Sequence, residues 1–174
     1  HERDTTLFSV VVNTREGEDE IEGSLCQSGY YTETLRGGSG ADTLTGNAGA
    51  DTLEGGGGAD LLYGDAGADH LDGGDGADSL YGGAGGDTLY GREGWDLIVG
   101  GDGDDEAHGG LGHDRIYGSD DHDSLYGGEG YDTLCGENGN DTLQAEGGGA
   151  WMGGGPGPSD ACYNGDCYGI YDEN

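Results

Sequence analysis

Hydrophobic residues recur at intervals of nine along the middle of the chain. From Gly37 to Gln144 the sequence divides into twelve nine-residue segments without an insertion or deletion. Position eight of the segment is Leu or Ile in eleven of the twelve, and Ala107 is the exception. Because side chains alternate between the faces of a strand, positions seven and nine face away from position eight. The pattern predicts a three-residue strand in every segment, with position eight in the core.

The remaining positions of the segment predict a tight turn. Position one is Gly in all twelve segments, position six is Asp in all twelve, and position four is Gly in all but one, where Asp121 stands. Glycine adopts positive φ and lets backbone segments approach closely, so six residues can turn with their carbonyl groups pointing inward. A repeat at fixed period predicts a solenoid in which each unit stacks on its neighbours.

This pattern resembles the GGxGxDxUx nonapeptide of the RTX family of secreted proteins, over residues 37–144. The resemblance implies an all-β fold, a right-handed parallel β-roll (a β-solenoid), in which two nonapeptides form each turn and twelve make six turns. It also implies that Ca²⁺ is held between turns, at about ten complete sites, by oxygen ligands that suit this cation. The implied ligands are carbonyl groups of the glycine turns and the carboxylates of Asp42, Asp51, Asp60, Asp69, Asp78, Asp87, Asp96, Asp105, Asp114, Asp123, Asp132 and Asp141.

The charge of the chain supports a need for cations. Five Lys and Arg residues stand against 37 Asp and Glu residues, for a formal net charge of −32. Stacked aspartates about 5 Å apart repel by about 3 kcal/mol per pair at an effective dielectric constant near 20. We therefore expect the repeats to be disordered without Ca²⁺ and ordered with it. The acidity disfavours nucleic acid and anionic membrane surfaces as partners, and no apolar run is long enough for a membrane span.

Composition changes at both ends of the repeats. Residues 1–36 form a predicted N-terminal non-repeat β cap, with a strand in TTLFSVVVNT, an acidic turn in REGEDEIEG, and a second strand or irregular edge after it. The strand from Leu7 to Val12 is expected to pair within its own chain or to add to a neighbour's open edge. Residues 145–174 form a predicted Gly/Pro-rich, irregular C-terminal cap that contains the CYNGDC loop.

The cysteines and the first residue bear on localisation. A disulfide bridge between Cys162 and Cys167 is favoured because the two residues are close in sequence. Cys26 and Cys135 would then pair with each other, pair between chains or stay free. The alternative is that all four cysteines are unpaired thiols. A disulfide requires an oxidising compartment. The chain begins at His1 rather than Met, so we expect a processed protein, secreted and extracellular or at the cell surface.

The two outward faces of the roll differ, because alternate segments lie on opposite sheets. The face formed by the odd-numbered segments, here called the odd face, carries an apolar stripe, whereas the even face is more polar. Such a patch favours contact with the N-terminal segment or with a second copy of the chain, although sheet propensity alone also explains it. The residues of the stripe are Leu61, Tyr63, Tyr81, Leu97, Val99 and Tyr117.

No residue pattern indicates catalysis. The histidines His70, His108, His113 and His122 are dispersed and lack the short paired spacing of a transition-metal site, so we interpret them as surface residues. Nucleophile elbows and zinc-protease motifs are absent from the sequence. We therefore predict that the chain is not an enzyme.

Three functions are compatible with these features. The favoured one is an extracellular calcium-binding structural or adhesive β-roll, with head-to-tail assembly into filaments as a further prediction. The alternative is a calcium-triggered folding or secretion module of a larger secreted RTX-type enzyme or toxin. An ice-binding or surface-binding solenoid ranks last, because its flat array of Thr residues would be interrupted by Leu, Tyr, Glu and His.

Overall fold

The protein is a β-solenoid built from two parallel sheets, as shown by a computed structural model. The structure describes residues 9–13, 16–23, 32–147, 151–155, 161–163 and 166–167. The chain alternates between the sheets, so that each strand pairs with the strands two before and two after it. The all-β parallel roll expected from the repeat is confirmed.

Each sheet has nine strands in the described residues. Sheet A comprises β1 (Ser9–Asn13), β3 (Thr32–Ser39), β5 (Thr52–Gly57), β7 (His70–Asp75), β9 (Thr88–Gly94), β11 (Glu106–Gly112), β13 (Ser124–Gly130), β15 (Thr142–Gln144) and β17 (Ala161–Tyr163). Sheet B comprises β2 (Glu20–Glu22), β4 (Thr43–Thr45), β6 (Leu61–Ala66), β8 (Ser79–Ala84), β10 (Leu97–Asp102), β12 (Arg115–Asp120), β14 (Thr133–Asn138), β16 (Trp151–Gly153) and β18 (Asp166–Cys167).

Most strands inside the repeat are longer than the three residues predicted. Strand β8, for example, continues from position seven of one segment to position three of the next. Parallel pairing extends there because turn residues join the ladder, as Gly83 does with Asp65 and Gly101. The short apolar triplet therefore marks only the first half of most strands.

The core is a single stack of position-eight side chains between the sheets. Each of these residues aligns with its counterpart one turn away, as Leu62 does with Leu80. Ala107, the one small residue of the series, aligns with Leu89 and Leu125 and is fully buried. The position-eight residues are all completely buried: Leu44, Leu53, Leu62, Leu71, Leu80, Leu89, Ile98, Ala107, Ile116, Leu125, Leu134 and Leu143.

The solenoid continues into the predicted N-terminal cap. Strand β1 pairs in parallel with β3 of its own chain, which is one of the two alternatives expected for this segment. Strand β2 lies within the stretch interpreted as an acidic turn, and it pairs with β4. Ile21 and Leu35 are buried in the core stack, and Val12 packs against it. Since β1 extends the edge of sheet A, it does not cover the odd face, which belongs to sheet B.

Three short strands continue the sheets beyond the last repeat. Strand β16 pairs with β14, and buried Met152 aligns with Leu134. Strands β17 and β18 add one further strand to each sheet, where Cys162 aligns with Leu143 and Cys167 with Met152. The Gly-rich composition therefore does not prevent this segment from following the path of the roll.

The described cysteine side chain is that of Cys135, which is a free, half-buried thiol on β14. Cys26 and the side chains of Cys162 and Cys167 lie outside the described part of the structure. The Cys162–Cys167 bridge therefore stays a prediction. None of the described segments forms a helix that could span a membrane.

Candidate metal centre

Each position-six aspartate lies just before a strand, and those from Asp42 to Asp132 are held by hydrogen bonds to the turns on either side. Asp78 shows the arrangement. Its N–H donates to Asp96 Oδ1 at 2.8 Å, and its Oδ1 accepts from the N–H of Asp60 at 2.8 Å. Its carbonyl oxygen accepts from the N–H of Leu97 at 2.9 Å. These bonds fix both the backbone and one carboxylate oxygen of the residue.

The same hydrogen bond repeats along both edges of the roll at 2.7 to 3.0 Å. Because neighbours in each row are 18 residues apart, the aspartates form two rows, one leading into sheet B and one into sheet A. The sheet B row is Asp42, Asp60, Asp78, Asp96, Asp114 and Asp132, and the sheet A row is Asp51, Asp69, Asp87, Asp105, Asp123 and Asp141. All twelve predicted residues are buried, with 1 to 3% of each exposed.

The second carboxylate oxygen is the unusual feature of these aspartates. From Asp42 to Asp132, the Oδ2 atom of each is buried and accepts no hydrogen bond among the described residues. A buried carboxylate oxygen without a hydrogen-bond partner costs free energy of folding. A series as regular as this one therefore requires an explanation. A bound cation supplies one.

Glycine at position one gives each Oδ2 atom a small space beside a backbone carbonyl. A Cβ built on Gly55 would stand 2.5 Å from Asp60 Oδ2 and 2.7 Å from the carbonyl oxygen of Gly73. A Cβ on Gly64 would stand 2.6 Å from Asp69 Oδ2 and 2.5 Å from the Gly82 oxygen. Any larger residue at position one would fill this space. The glycine therefore leaves a small space, here called the cradle, which a carboxylate oxygen and a carbonyl oxygen both face.

Positive φ angles shape the turn at positions two and four. At position four, Gly58 has a φ of +138° and its absent Cβ would collide with the carbonyl oxygen of Gly40. Asp121, the one exception to glycine at this position, adopts a φ of +77°. The turn is thus kept at Asp121, at the cost of a left-handed backbone that non-glycine residues disfavour.

Comparison with known families identifies this repeat. A family model described as RTX calcium-binding nonapeptide repeat (4 copies) matches residues 28–62, 54–89, 72–107, 99–134 and 108–143, which together span about two thirds of the chain. The chain belongs to this RTX family. No curated protein and no solved structure matches it.

The RTX repeats of this chain offer oxygen donors of the kind that calcium binds. RTX nonapeptides bind calcium, and Ca²⁺ takes carboxylate and carbonyl oxygens in flexible geometry. Oδ2 atoms and position-one carbonyl groups are both of this type. No group of three or more His, Cys, Asp or Glu side chains converges as a metal site within the described residues. Backbone oxygens would therefore have to complete the coordination.

Burial shifts the titration of these carboxylates. It raises the pKa of Asp69 to about 7, although a hydrogen bond from the N–H of Asp51 opposes the shift and the charges of Asp87 and Asp51 add to it. The pKa values of Asp96, Asp105 and Asp123 are likewise raised to about 7, and those of Asp78 and Asp114 to about 6. The metal-free roll thus disfavours the charged form that a cation needs.

Two further residues occupy position six outside the twelve segments. The N–H of Asp19 donates to Asp42 Oδ1 at 2.8 Å, and the N–H of Glu33 donates to Asp51 Oδ1 at 2.7 Å. Glu33 is 4% exposed, and a Cβ on Gly23 would meet its Oε2 and stand 2.5 Å from the Gly46 oxygen. Sequence reasoning missed both. The triplets DEI and ETL, which resemble the DTL of the repeats, could have indicated them.

The four histidines interpreted as surface residues are not brought together. His108 stacks between Tyr90 and Tyr126 on sheet A, and its Nε2 lies 2.8 Å from Glu106 Oε1. His113 contacts the rings of Trp95 and Tyr131, while His122 Nδ1 accepts from the N–H of Asn140 at 3.1 Å. His70 packs against Tyr90 with ring centroids 5.4 Å apart. Each histidine takes part in a contact between turns.

Proposed function

We propose that this protein is an extracellular structural or adhesive β-roll that is rigidified by calcium and assembles end to end. The observation that carries the calcium part is the series of buried, unpartnered Oδ2 atoms along both edges of the roll. The twelve position-six aspartates, Asp42 to Asp141, are the proposed side-chain ligands, at about ten complete sites. In this proposal the chain has no catalytic role.

Extracellular conditions suit this role. Calcium modules outside cells commonly bind with dissociation constants of about 10⁻⁴ to 10⁻³ M, which matches the calcium available there. RTX repeat proteins are typically secreted. The protein would then fold when it meets calcium outside the cell.

The sheet edges at the ends of the roll support the assembly part. All strands are parallel, and β1 and β17 are the terminal strands of sheet A in the described residues. A parallel sheet that is open at both ends can add the first strand of one copy to the last strand of another. Such a contact joins two different surfaces of the chain. Because copies stacked along the axis of the roll do not close into a ring, repeated contacts produce a filament. The apolar stripe of the odd face offers a second contact, between neighbouring filaments.

Electron microscopy of the purified protein in millimolar Ca²⁺, and again after EDTA, tests the assembly. We expect fibres that dissolve when calcium is removed. The variant Val11→Pro disturbs the strand edge at β1 and should prevent fibres while the roll still folds, whereas Val11→Ile should leave them intact. Isolated particles in every condition would contradict the filament and favour the module of a larger secreted protein.

A further inference from the structure

An aromatic row runs along the outer face of sheet A at position nine of three consecutive turns. The rings of Tyr90 and His108 stack with centroids 4.8 Å apart and planes 11° apart. Those of His108 and Tyr126 stack at 4.5 Å and 8°. The row therefore forms a continuous wall about two turns long beside the turn residues of the same edge.

Arg92 shows which chemical group fits beside this wall. It lies at position two, directly after Tyr90 and Gly91, and its Cζ is 4.7 Å from the centroid of the Tyr90 ring. Its Nε and Nη2 donate to the carboxylate of Asp72 at 3.0 and 2.6 Å. The chain's own guanidinium group is thus held by an aromatic ring and a carboxylate together, a combination that suits arginine.

The next two turns leave the corresponding place open. Position two is glycine there, Gly110 after His108 and Gly128 after Tyr126, so no side chain fills the space beside the rings. The result is a groove of about 490 Å³. Arg92 precedes the groove along the row, and Glu146, the position-two residue one turn after Gly128, lines its other end.

The far wall of the groove provides an apolar surface and a negative charge. Leu111 lines it and is 47% exposed, which is unusual for a leucine of this protein. Glu129 and Glu146 also line it, and both are exposed. Glu146 accepts a hydrogen bond from Gln144 at 2.8 Å. Neither glutamate belongs to the two rows of buried aspartates. Calcium bound by those aspartates would therefore leave the charges of Glu129 and Glu146 available.

We propose that this groove binds an arginine side chain of a peptide segment from another protein. The guanidinium group pairs with Glu129 and Glu146 and lies against Tyr126, and the aliphatic part of the side chain packs on Leu111. The carboxylates of Glu129 and Glu146 belong to the turn of Tyr126 and to the turn after it. Asp72, the partner of Arg92, instead lies one turn before Tyr90. The net charge of −32 attracts a basic segment and repels an acidic one.

Nuclear magnetic resonance of the calcium-saturated full chain that carries Val11→Pro, the variant expected not to form fibres, tests the site. The probe is the blocked tripeptide Gly-Arg-Gly, compared with the same peptide that carries citrulline, which has the shape of arginine without its charge. We expect chemical shifts to change at Leu111, Tyr126 and Glu129 with the arginine peptide, and affinity to be about tenfold lower for citrulline.

Matched variants separate the groove from general attraction to an acidic protein. The double variant Glu129→Gln, Glu146→Gln should weaken binding about tenfold. The control Asp102→Asn, Asp120→Asn removes the same charge from exposed positions on sheet B and should leave binding within about twofold. An equal loss in both variants, or equal binding of the citrulline peptide, would overturn the proposal.

The same experiment distinguishes a second copy of this chain as the occupant. Arg115 is exposed on sheet B and could enter the groove of a neighbouring molecule. In that case the groove resonances of the Val11→Pro protein would shift with protein concentration, and adding Arg115→Gln would remove the effect. That result would overturn a foreign peptide as the occupant. We expect instead that Arg115→Gln leaves peptide binding unchanged.

Discussion

At the scale of single residues, the position-six aspartate combines a structural and a chemical task. Its N–H, carbonyl group and Oδ1 join three successive turns, as in Asp78, and its Oδ2 is left facing the cradle beside Gly73. Asparagine would serve the first task but not the second, because its amide lacks the charge that attracts Ca²⁺. The two tasks can therefore be separated by one substitution.

We predict opposite effects of Asp78→Asn with and without calcium. Calcium affinity should fall by about tenfold, or about 1.4 kcal/mol, because one ligand loses its charge. The metal-free roll should become more stable, because a buried charge is removed. Calcium titration by calorimetry and chelator-treated circular dichroism measure the two effects. The control Asp75→Asn changes an exposed residue three positions earlier and should alter affinity by less than about twofold; equal losses in both variants would count against Asp78 as a ligand.

The raised pKa values predict that metal-free protein is more ordered in mild acid. The pKa of Asp96 rises from 3.8 to about 7 on folding, so the folded state binds protons more tightly than the unfolded chain. Stability from this source is complete below about pH 4 and declines as the pH rises through 7. Circular dichroism of metal-stripped protein should show more strand at pH 5 than at pH 8. No difference, or less strand at pH 5, would contradict the shifts.

At the scale of strands and turns, two glycines that are neighbours in sequence have different roles. Gly58 has positive φ, and a Cβ there would meet the Gly40 oxygen, whereas a Cβ on Gly57 would meet nothing within 4 Å. We predict that Gly58→Ala destabilises the roll by about 1 to 3 kcal/mol, while Gly57→Ala stays within about 0.5 kcal/mol. Urea unfolding in saturating calcium measures both. Equal stabilities would show that the turn adapts to a side chain.

The core stack predicts a similar contrast between two leucines. Leu80 is fully buried and aligned with Leu62 and Ile98, whereas Leu111 is 47% exposed at the end of β11. Leu80→Ala should lower the free energy of unfolding by about 2 to 5 kcal/mol, because a cavity remains between the sheets. Leu111→Ala should change it by less than about 0.5 kcal/mol. Comparable losses would mean that position eight is not the main source of packing energy.

The sequence predicted the elements wherever the nine-residue spacing is unbroken. Constant Gly, Asp and Leu positions determine the turn, the row and the core, so the placement of Asp42 to Asp141 followed from counting. Glu33 was missed although it lies nine residues before Asp42, because Ser28 and Tyr31 replace the glycines of its segment and Glu replaces Asp. Asp19 was missed because it lies 14 residues before Glu33, which breaks the nine-residue spacing. The groove could not be predicted either, since it depends on how Gly110, Gly128 and their neighbours stack across turns. Side-chain size at position two decides where such a groove opens.

At the scale of the whole molecule, the fold places like charges in rows and separates them only by the distance between turns. The position-six rows lie along both edges, and the chain carries a net charge of −32. A solenoid gains stability by adding each turn to its neighbour, so repulsion within a row acts at every step. Calcium between turns would turn that repulsion into attraction along the entire length. This is why folding and metal binding are expected to be one process.

Circular dichroism of the full chain, titrated with Ca²⁺ from a metal-free state at pH 8, tests this most directly. We predict a disordered spectrum without metal, a cooperative change to a strand spectrum in the millimolar range, and full reversal by EDTA. Mg²⁺ at the same concentration should not replace calcium, because it demands a stricter octahedral geometry. A strand spectrum that persists in excess EDTA at pH 8 would show that the roll folds without calcium and would contradict the account.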